Sequence, residues 1–246
     1  MRNFSAQPVW AVVPVKKLTR AKSRLGNVLS PAARRRLVLT MLEDVLATLR
    51  GAPTIGPIVV VTADRWVALV GEREGARILR EGPTLGLNSA LRLGARQTRK
   101  EGAKRLLFIP ADVPFATAAE VGAVVEASLS CERDGAVIVP AKKGGGTNAL
   151  MLSPPKALSP SFGEDSFAAH CRQAVERCLE LKVVQLPGLG MDIDEPTHLT
   201  ALIEDKRTAA RYAFLNEALR EHAMRRQEPA QIMPQMVPQT LRVRER

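Results

Sequence analysis

Three aspartates are the residues whose type and spacing could do chemistry in this chain. Asp112 stands in Pro110-Ala111-Asp112-Val113-Pro114, directly after the apolar run Arg105 to Ile109. A carboxylate held rigidly at the end of a buried strand is a common Mg²⁺ ligand in phosphoryl and nucleotidyl transfer. Asp and Pro are also standard where a strand simply ends in a turn, and both readings stand. Asp192 and Asp194 are spaced i, i+2 in Met191-Asp192-Ile193-Asp194-Glu195-Pro196. On an extended segment their side chains point the same way. Two like charges so close are unfavourable unless a cation or a basic group answers them. Asp192 therefore reads as a metal ligand, while Asp194 stands between ligand and N-cap of the helix that Glu195-Pro196 opens.

The cations are concentrated too. Lys16, Lys17, Arg20, Lys22, Arg24, Arg34, Arg35 and Arg36 fall within one stretch that contains no acidic residue. Lys16 to Arg24 follow the apolar run Val9 to Val15, with its Pro14. A loop there can cradle a triphosphate, although it lacks the glycines and the GK[ST] ending of a P-loop. The alternative is a solvated basic loop. Arg34 to Arg36 lie in a helix pattern and read as surface. Two glycine-bearing stretches suit close approach to a ligand. Gly144-Gly145-Gly146-Thr147-Asn148 adds a hydroxyl but equally reads as a hairpin turn. Gly82 to Gly86 leads into a helix in which Asn88 could contact a base or ribose, or only cap. In Phe162-Gly163-Glu164-Asp165-Ser166, Ser166 opens a helix whose N–H groups favour an anion, or is merely its cap. His170, four residues on, reads as structural.

The elements that must position these residues follow from the hydrophobic pattern. Val9 to Val15 and Ile58 to Thr62 are continuous apolar runs of the kind buried in parallel sheets. Further strands are expected at Ala76 to Leu79, Arg105 to Ile109, Ala136 to Val139, Asn148 to Leu152 and Lys182 to Leu186. Helices are expected from Ser30-Pro31 to Gly51, at Trp66 to Val70, Asn88 to Arg99, Thr117 to Ser128, Ser166 to Leu179, and from Pro196 to about Arg226. The alternation predicts an α/β fold with a largely parallel central sheet and helices on both faces. Ligands in such sheets gather beyond the carboxyl ends of the strands, where the unusual residues above all fall. Residues 1–226 read as a single domain, and 227–246, rich in Pro and Gln with a basic end, as a flexible tail.

Composition narrows the class. With 46% hydrophobic residues and only 4% aromatic, the core must be aliphatic. No apolar run is long enough to span a bilayer. The three cysteines form no CxxC pair and suggest neither a disulfide framework nor a zinc site, so a cytoplasmic location is expected. The net charge of +11 raises nucleic-acid binding as a different class of function, but scarce aromatics argue against stacking on single strands.

Taken in order, the motifs around Lys22-Ser23-Arg24, Gly86-Leu87-Asn88, Pro110 to Pro114, Gly145-Gly146-Thr147-Asn148, Phe162-Gly163 with Ser166 and His170, and Asp192-Ile193-Asp194 resemble the 2-phospholactate guanylyltransferase family. Its bacterial members act on phosphoenolpyruvate or 3-phosphoglycerate in coenzyme F-420 biosynthesis. The resemblance spans about Val9 to Leu202 and implies a Rossmann-like nucleotidyltransferase fold, GTP as donor, a small phosphorylated acid as acceptor, and Mg²⁺. It implies metal binding by Asp112, Asp192 and Asp194, with Lys22, Arg24 and Asp112 catalytic. It assigns nucleotide contacts to Pro14, Lys16, Lys22, Arg24, Gly86 and Asn88, and acid contacts to Thr147, Gly163 and Ser166. Val113 departs from the usual Leu, and Lys142-Lys143 are more basic than the usual turn, which bears on the acid used. A different acceptor, such as a sugar phosphate or the molybdenum cofactor, is the alternative within this chemistry. A homodimer is left open; no membrane or nucleic-acid partner is expected.

Overall fold

The computed structural model describes residues 8–82 and 86–227. The expected tail from 228 onward, and residues 83–85 of the loop before Asn88, lie outside the described residues. Seven strands form one sheet: β1 (Val9–Val15), β2 (Ile55–Thr62), β3 (Arg77–Arg80), β4 (Leu106–Phe108), β5 (Gly135–Pro140), β6 (Thr147–Ser153) and β7 (Glu180–Val183), in the spatial order β3-β2-β1-β4-β6-β5-β7. The pairs β1–β2, β2–β3, β1–β4 and β5–β7 are parallel. β6 runs antiparallel to both β4 and β5, so it alone is reversed and the sheet is mixed. The reason is local. Only the short segment 141–146 joins β5 to β6, and a parallel return needs a longer crossover. Gly144 and Gly145, at φ +79 and +65, let the chain turn back that tightly.

The strands are apolar because both faces of the sheet are covered. Successive residues alternate between two cores. Val13, Val60, Leu107, Val137 and Met151 face one side, and Val12, Val61, Phe108, Ile138 and Leu150 the other. The first side packs against α1 (Pro31–Gly51) and α4 (Ala118–Leu129), the second against α3 (Leu87–Lys100) and α5 (Ser166–Glu176). α1 begins as its sequence signals, with the Ser30 hydroxyl accepting from the Ala33 N–H and Pro31 in the first turn. α4 begins with a full capping box between Thr117 and Glu120. α2 (Arg65–Arg73) is capped by Asp64.

The helix expected from Pro196 to about Arg226 is instead two, α6 (Pro196–Glu204) and α7 (Phe214–Gln227). Asp205 breaks it: its backbone is extended and its carboxylate accepts from the Arg207 N–H at 2.8 Å, a local turn that competes with helix. Thr208 then donates to the Leu202 carbonyl at 2.8 Å and closes the end of α6.

The turn just before Asp192 and Asp194 has no room for a side chain. The Gly188 N–H donates to Glu120 Oε1 at 2.7 Å, and a Cβ on Gly188 would stand 2.2 Å from the Phe115 carbonyl oxygen. Gly188→Ala is therefore expected to destabilise the fold by about 1–3 kcal/mol, the usual range for overpacking, measured as a lower urea midpoint with unchanged m-value.

Candidate active site

The carboxyl ends of β1 and β4 deliver the first two elements of the site. After β1 the chain turns through short 3₁₀ segments, Leu18–Arg20 and Ser23–Asn27, with Lys22 between them in the left-handed region at φ 50, ψ 45. After β4 comes Asp112. The Asp112 carbonyl accepts from the Ile193 N–H at 3.0 Å, which pins the distant acidic pair beside it. Ile193 is fully buried, so Asp192 and Asp194 both turn to the same side. The Lys22 ammonium donates to Asp112 Oδ2 and to Asp194 Oδ1, each at 2.6 Å. Asp192 accepts from Asn148 Nδ2 at 3.1 Å. Asp194 does not cap α6: the N-cap position is Glu195, with no side-chain cap bond.

These groups feel one another. Burial pulls the Lys22 ammonium toward the neutral form, but the attraction of Asp112 and Asp194 outweighs it and the pKa ends above 10.5. Burial raises the Asp194 carboxyl, and the pull of Lys22, with smaller help from Arg24 and His198, more than reverses this. Asp192 is raised, first by burial and then by the charge of Asp112. Among the described residues no group of three or more His, Cys, Asp or Glu side chains is arranged to enclose a metal ion. Instead one ammonium answers two of three converging carboxylates, and negative charge is left over.

Residues that read as bland in sequence hold the basic loop. Asp64 caps α2 with one oxygen and accepts from the Leu18 N–H with the other at 3.0 Å. Arg34, taken as surface, donates to the Ala21 carbonyl at 3.2 Å. Arg36 is exposed, as its sequence position suggests, and lies 4.1 Å over the Phe214 ring, away from the loop. No periodicity signals such bonds; only the Asx-type spacing Asp64 to Trp66 could have marked one of them.

The glycine-rich hairpin and the 159–166 segment form the opposite wall. The Gly145 carbonyl accepts from the Phe167 N–H at 3.0 Å, tying hairpin to α5. Gly163, at φ +133, adopts a conformation closed to other residues. Asp165 is the N-cap of α5 and makes no side-chain cap bond, so Ser166 is not the cap. The Ser166 side chain is 1% exposed and its Oγ has no hydrogen-bond partner, a costly state that a ligand oxygen would relieve. Asn88 is not a cap either; Gly86 is. The Asn88 amide donates to the Phe162 carbonyl at 3.0 Å and accepts from the Phe162 N–H at 2.7 Å. These two bonds brace the wall, and each end of the amide keeps one further hydrogen-bonding position. His170 is fully buried, and burial pushes its pKa down to about 4.

Two adjoining cavities, of about 340 and 430 Å³, meet along Lys16, Arg24, Leu87, Pro110, Asp112 and Asp194. Pro14 and Lys22 wall the first; Thr147, Asn148, Gly163 and Asp192 wall the second. Lys16, Pro14, Lys22, Arg24, Asp112, Thr147, Gly163, Asp192 and Asp194 are thus brought into one cleft. Gly86, Asn88 and Ser166 stand behind its walls. Arg24 is 67% exposed and only loosely faces Glu164 at 3.8 Å.

Two outcomes follow. Lys22→Met removes the ammonium from carboxylates that keep some solvent, and is expected to cost roughly 2–3 kcal/mol at pH 7, less than a fully buried pair. The deficit, read by urea titration, shrinks as the pH falls and Asp194 protonates. His170 is depressed from 6.5 to about 4, so the unfolded chain binds a proton that the folded chain refuses. Its contribution is complete above pH 6.5 and is lost as the pH falls toward 4, by about 3 kcal/mol. Comparing wild type with His170→Asn across that window measures it, and equal pH slopes in the two proteins would contradict it.

Residues 9–227 match the family described as Guanylyl transferase CofC like. A phosphoenolpyruvate guanylyltransferase of Sphaerobacter thermophilus is 42% identical over 192 residues, covering 78% of this chain and 91% of the relative. A 2-phospho-L-lactate guanylyltransferase of Methanothermobacter thermautotrophicus is 35% identical over 193 residues, covering 78% and 83%. Among solved structures, a nucleotidyl transferase from Methanothermobacter thermautotrophicus shares the fold with a TM-score of 0.57 at 17% identity, covering 85% of this chain and 99% of that one. The sheet with its single reversed strand is thus the Rossmann-like fold of the nucleotidyltransferases, and the chain belongs to the guanylyl transferase CofC-like family.

Proposed function

We propose that this protein is a guanylyltransferase that joins GTP to a small phosphorylated acid, with release of pyrophosphate, as a step in coenzyme F-420 biosynthesis. The carrying observation is the convergence of Asp112 and Asp194 on the Lys22 ammonium where the two cavities meet, with Asp192, held by Asn148, beside them in the larger one. The family supports the donor, and the relatives' names support phosphoenolpyruvate or 2-phospholactate as acceptor, with 3-phosphoglycerate a third candidate.

The triphosphate is assigned to the cavity walled by Pro14, Lys16, Lys22 and Arg24. The acid is assigned to the cavity of Thr147 and Gly163, with Ser166 beneath. Gly86 and Asn88 serve the nucleoside side through the first turn of α3. The hard oxygens of Asp112, Asp192 and Asp194, with more negative charge than Lys22 cancels, suit a divalent cation such as Mg²⁺, which commonly takes only one or two protein carboxylates and completes its shell with phosphate oxygens and water. Such an ion would neutralise phosphate charge and orient the leaving group.

No general base is needed. The acceptor phosphate has a second pKa near 6 and is mostly dianionic at neutral pH. One of its oxygens bonds to the α-phosphorus of GTP as the bond to the β-phosphate oxygen breaks and pyrophosphate departs. The barrier is one anion approaching another, and Lys16, Lys22 and Arg24 lower it by charge and by alignment.

Purified protein with GTP and Mg²⁺, offered phosphoenolpyruvate, 2-phospholactate and 3-phosphoglycerate in turn, is expected to release pyrophosphate and form a guanosine-diphospho-acid detectable by mass. Asp112→Asn is expected to lower kcat by roughly 100-fold or more without unfolding the chain. Consumption of another nucleotide with a sugar phosphate, and none of GTP with any of the three acids, would defeat the reading.

A further inference from the structure

His170 sits in a hydrogen-bond chain that the chemistry above does not use. Its Nε2 receives the Ser161 backbone N–H at 2.9 Å. A backbone N–H can only donate, so Nε2 carries no hydrogen and the neutral ring holds its proton on Nδ1. Nδ1 lies 3.1 Å from Thr147 Oγ1, and with this tautomer the ring donates to the hydroxyl oxygen. The Thr147 hydroxyl makes no other hydrogen bond among the described residues, so its own hydrogen remains available, and Thr147 walls the larger cavity.

The parts that set this tautomer are themselves held. Gln173 accepts from the Ser159 N–H at 3.0 Å and donates to the Ser159 carbonyl at 3.1 Å and the Ser161 hydroxyl at 3.0 Å. Asn88 clamps Phe162 from the other side, and the Phe162 ring meets the His170 ring edge-on at 5.4 Å. The Ser161 N–H therefore cannot turn away, and full burial keeps water from supplying an alternative partner.

We propose that His170 is a positioning residue for the acid acceptor: fixed as the Nδ1–H tautomer by Ser161, it occupies the acceptor side of the Thr147 hydroxyl and leaves that hydroxyl as a dedicated donor to an anionic oxygen in the cleft. The unpartnered Ser166 Oγ is buried behind that wall and is not part of it. A wall of committed donors favours a carboxylate or phosphate oxygen over any group that must itself donate. The inference rests on the acceptor-site reading of Thr147 given above.

Steady-state kinetics with phosphoenolpyruvate and GTP, or with whichever acid the panel above selects, test it. His170→Leu is expected to raise the acceptor KM about tenfold while the GTP KM stays within twofold, as the loss of one oriented hydrogen bond implies. His170→Asn, whose amide can donate near the place of Nδ1–H, is expected to stay within about threefold of wild type on the same scale. In a Thr147→Val background, His170→Leu should have no further effect on the acceptor KM. A Thr147→Val protein with unchanged acceptor KM would sink the acceptor-site reading itself. A Thr147→Val effect that His170→Leu does not share, or that adds to it in full, would sink only the positioning role; so would an equal rise in both KM values. If His170→Leu does not fold, the ¹⁵N spectrum of histidine-labelled wild type at pH 7 decides: protonation at Nδ1 supports the role and protonation at Nε2 overturns it.

Discussion

Like-charge repulsion among three aspartates is the constraint around which the site is organised. Far apart in the sequence, Asp112 and the pair at Asp192 and Asp194 are brought together by a backbone bond from Ile193 to Asp112. Such a cluster is tolerated only with a cation among its members. Lys22 supplies it, and the cost is visible in the backbone: a residue with a side chain holds the left-handed conformation, a strain of order 1 kcal/mol that persists only where surroundings over-determine it. Asp64 and Arg34 are those surroundings, gripping the loop just ahead of Lys22, at Leu18 and Ala21. The balance is incomplete, since Lys22 bonds Asp112 and Asp194 while Asp192 is met by the neutral amide of Asn148. That residual negative charge is the physical basis for expecting a divalent ion to enter with a nucleotide.

The reversed strand explains how two chemically different walls come to face one another. Parallel strands all end at one rim, which collects Lys16 to Arg24 after β1 and Asp112 after β4. A seventh strand of the same direction would bring only another C-terminal loop. β6, running backwards, begins where the others end, so its first residues Thr147 and Asn148 arrive at that rim from inside the sheet. They are therefore buried, with 5% exposure each, and more rigid than a loop could make them. Asn148 uses this rigidity to hold Asp192, and Thr147 to meet His170. The tight glycine turn is thus a hairpin and a wall of the larger cavity at once; the two readings of Gly144 to Gly146 were never exclusive.

What was legible in the residues was whatever has a local period or a local rule. The buried strands, the Ser30 and Thr117 helix starts and the i, i+2 pairing of Asp192 and Asp194 all follow from neighbours within a few positions. The reversal of β6 was obscured because strand spacing does not report direction, although the shortness of 141–146 carried that information. The break at Asp205 was missed because helical periodicity continues through it in composition. The partner of Lys22 was not legible at all: its two bonds span 90 and 172 positions. The same holds for Asn88 and Phe162, which are 74 apart. Side-chain bonds over such distances leave no pattern in one sequence, and they are what distinguishes a basic loop from a site.

These long-range bonds also divide the labour in a way the chemistry requires. A reaction between two anions needs positive charge where the phosphates meet, but a purely cationic cleft would bind both substrates in any order and orientation. Here the charge of Lys16 and Arg24 is exposed at the seam, whereas the wall proposed for the acid carries the Thr147 hydroxyl, met from behind by His170. On the proposed reading, charge draws the phosphates in, while Asn88, Gln173 and His170 brace the wall they meet. Electrostatics without that backing would bind phosphate, and backing without the carboxylate–lysine cluster would bind an acid with nothing to transfer to it. On that reading, the common edge of the two cavities, at Asp112 and Asp194, is where both substrates would be in reach of one reacting phosphorus.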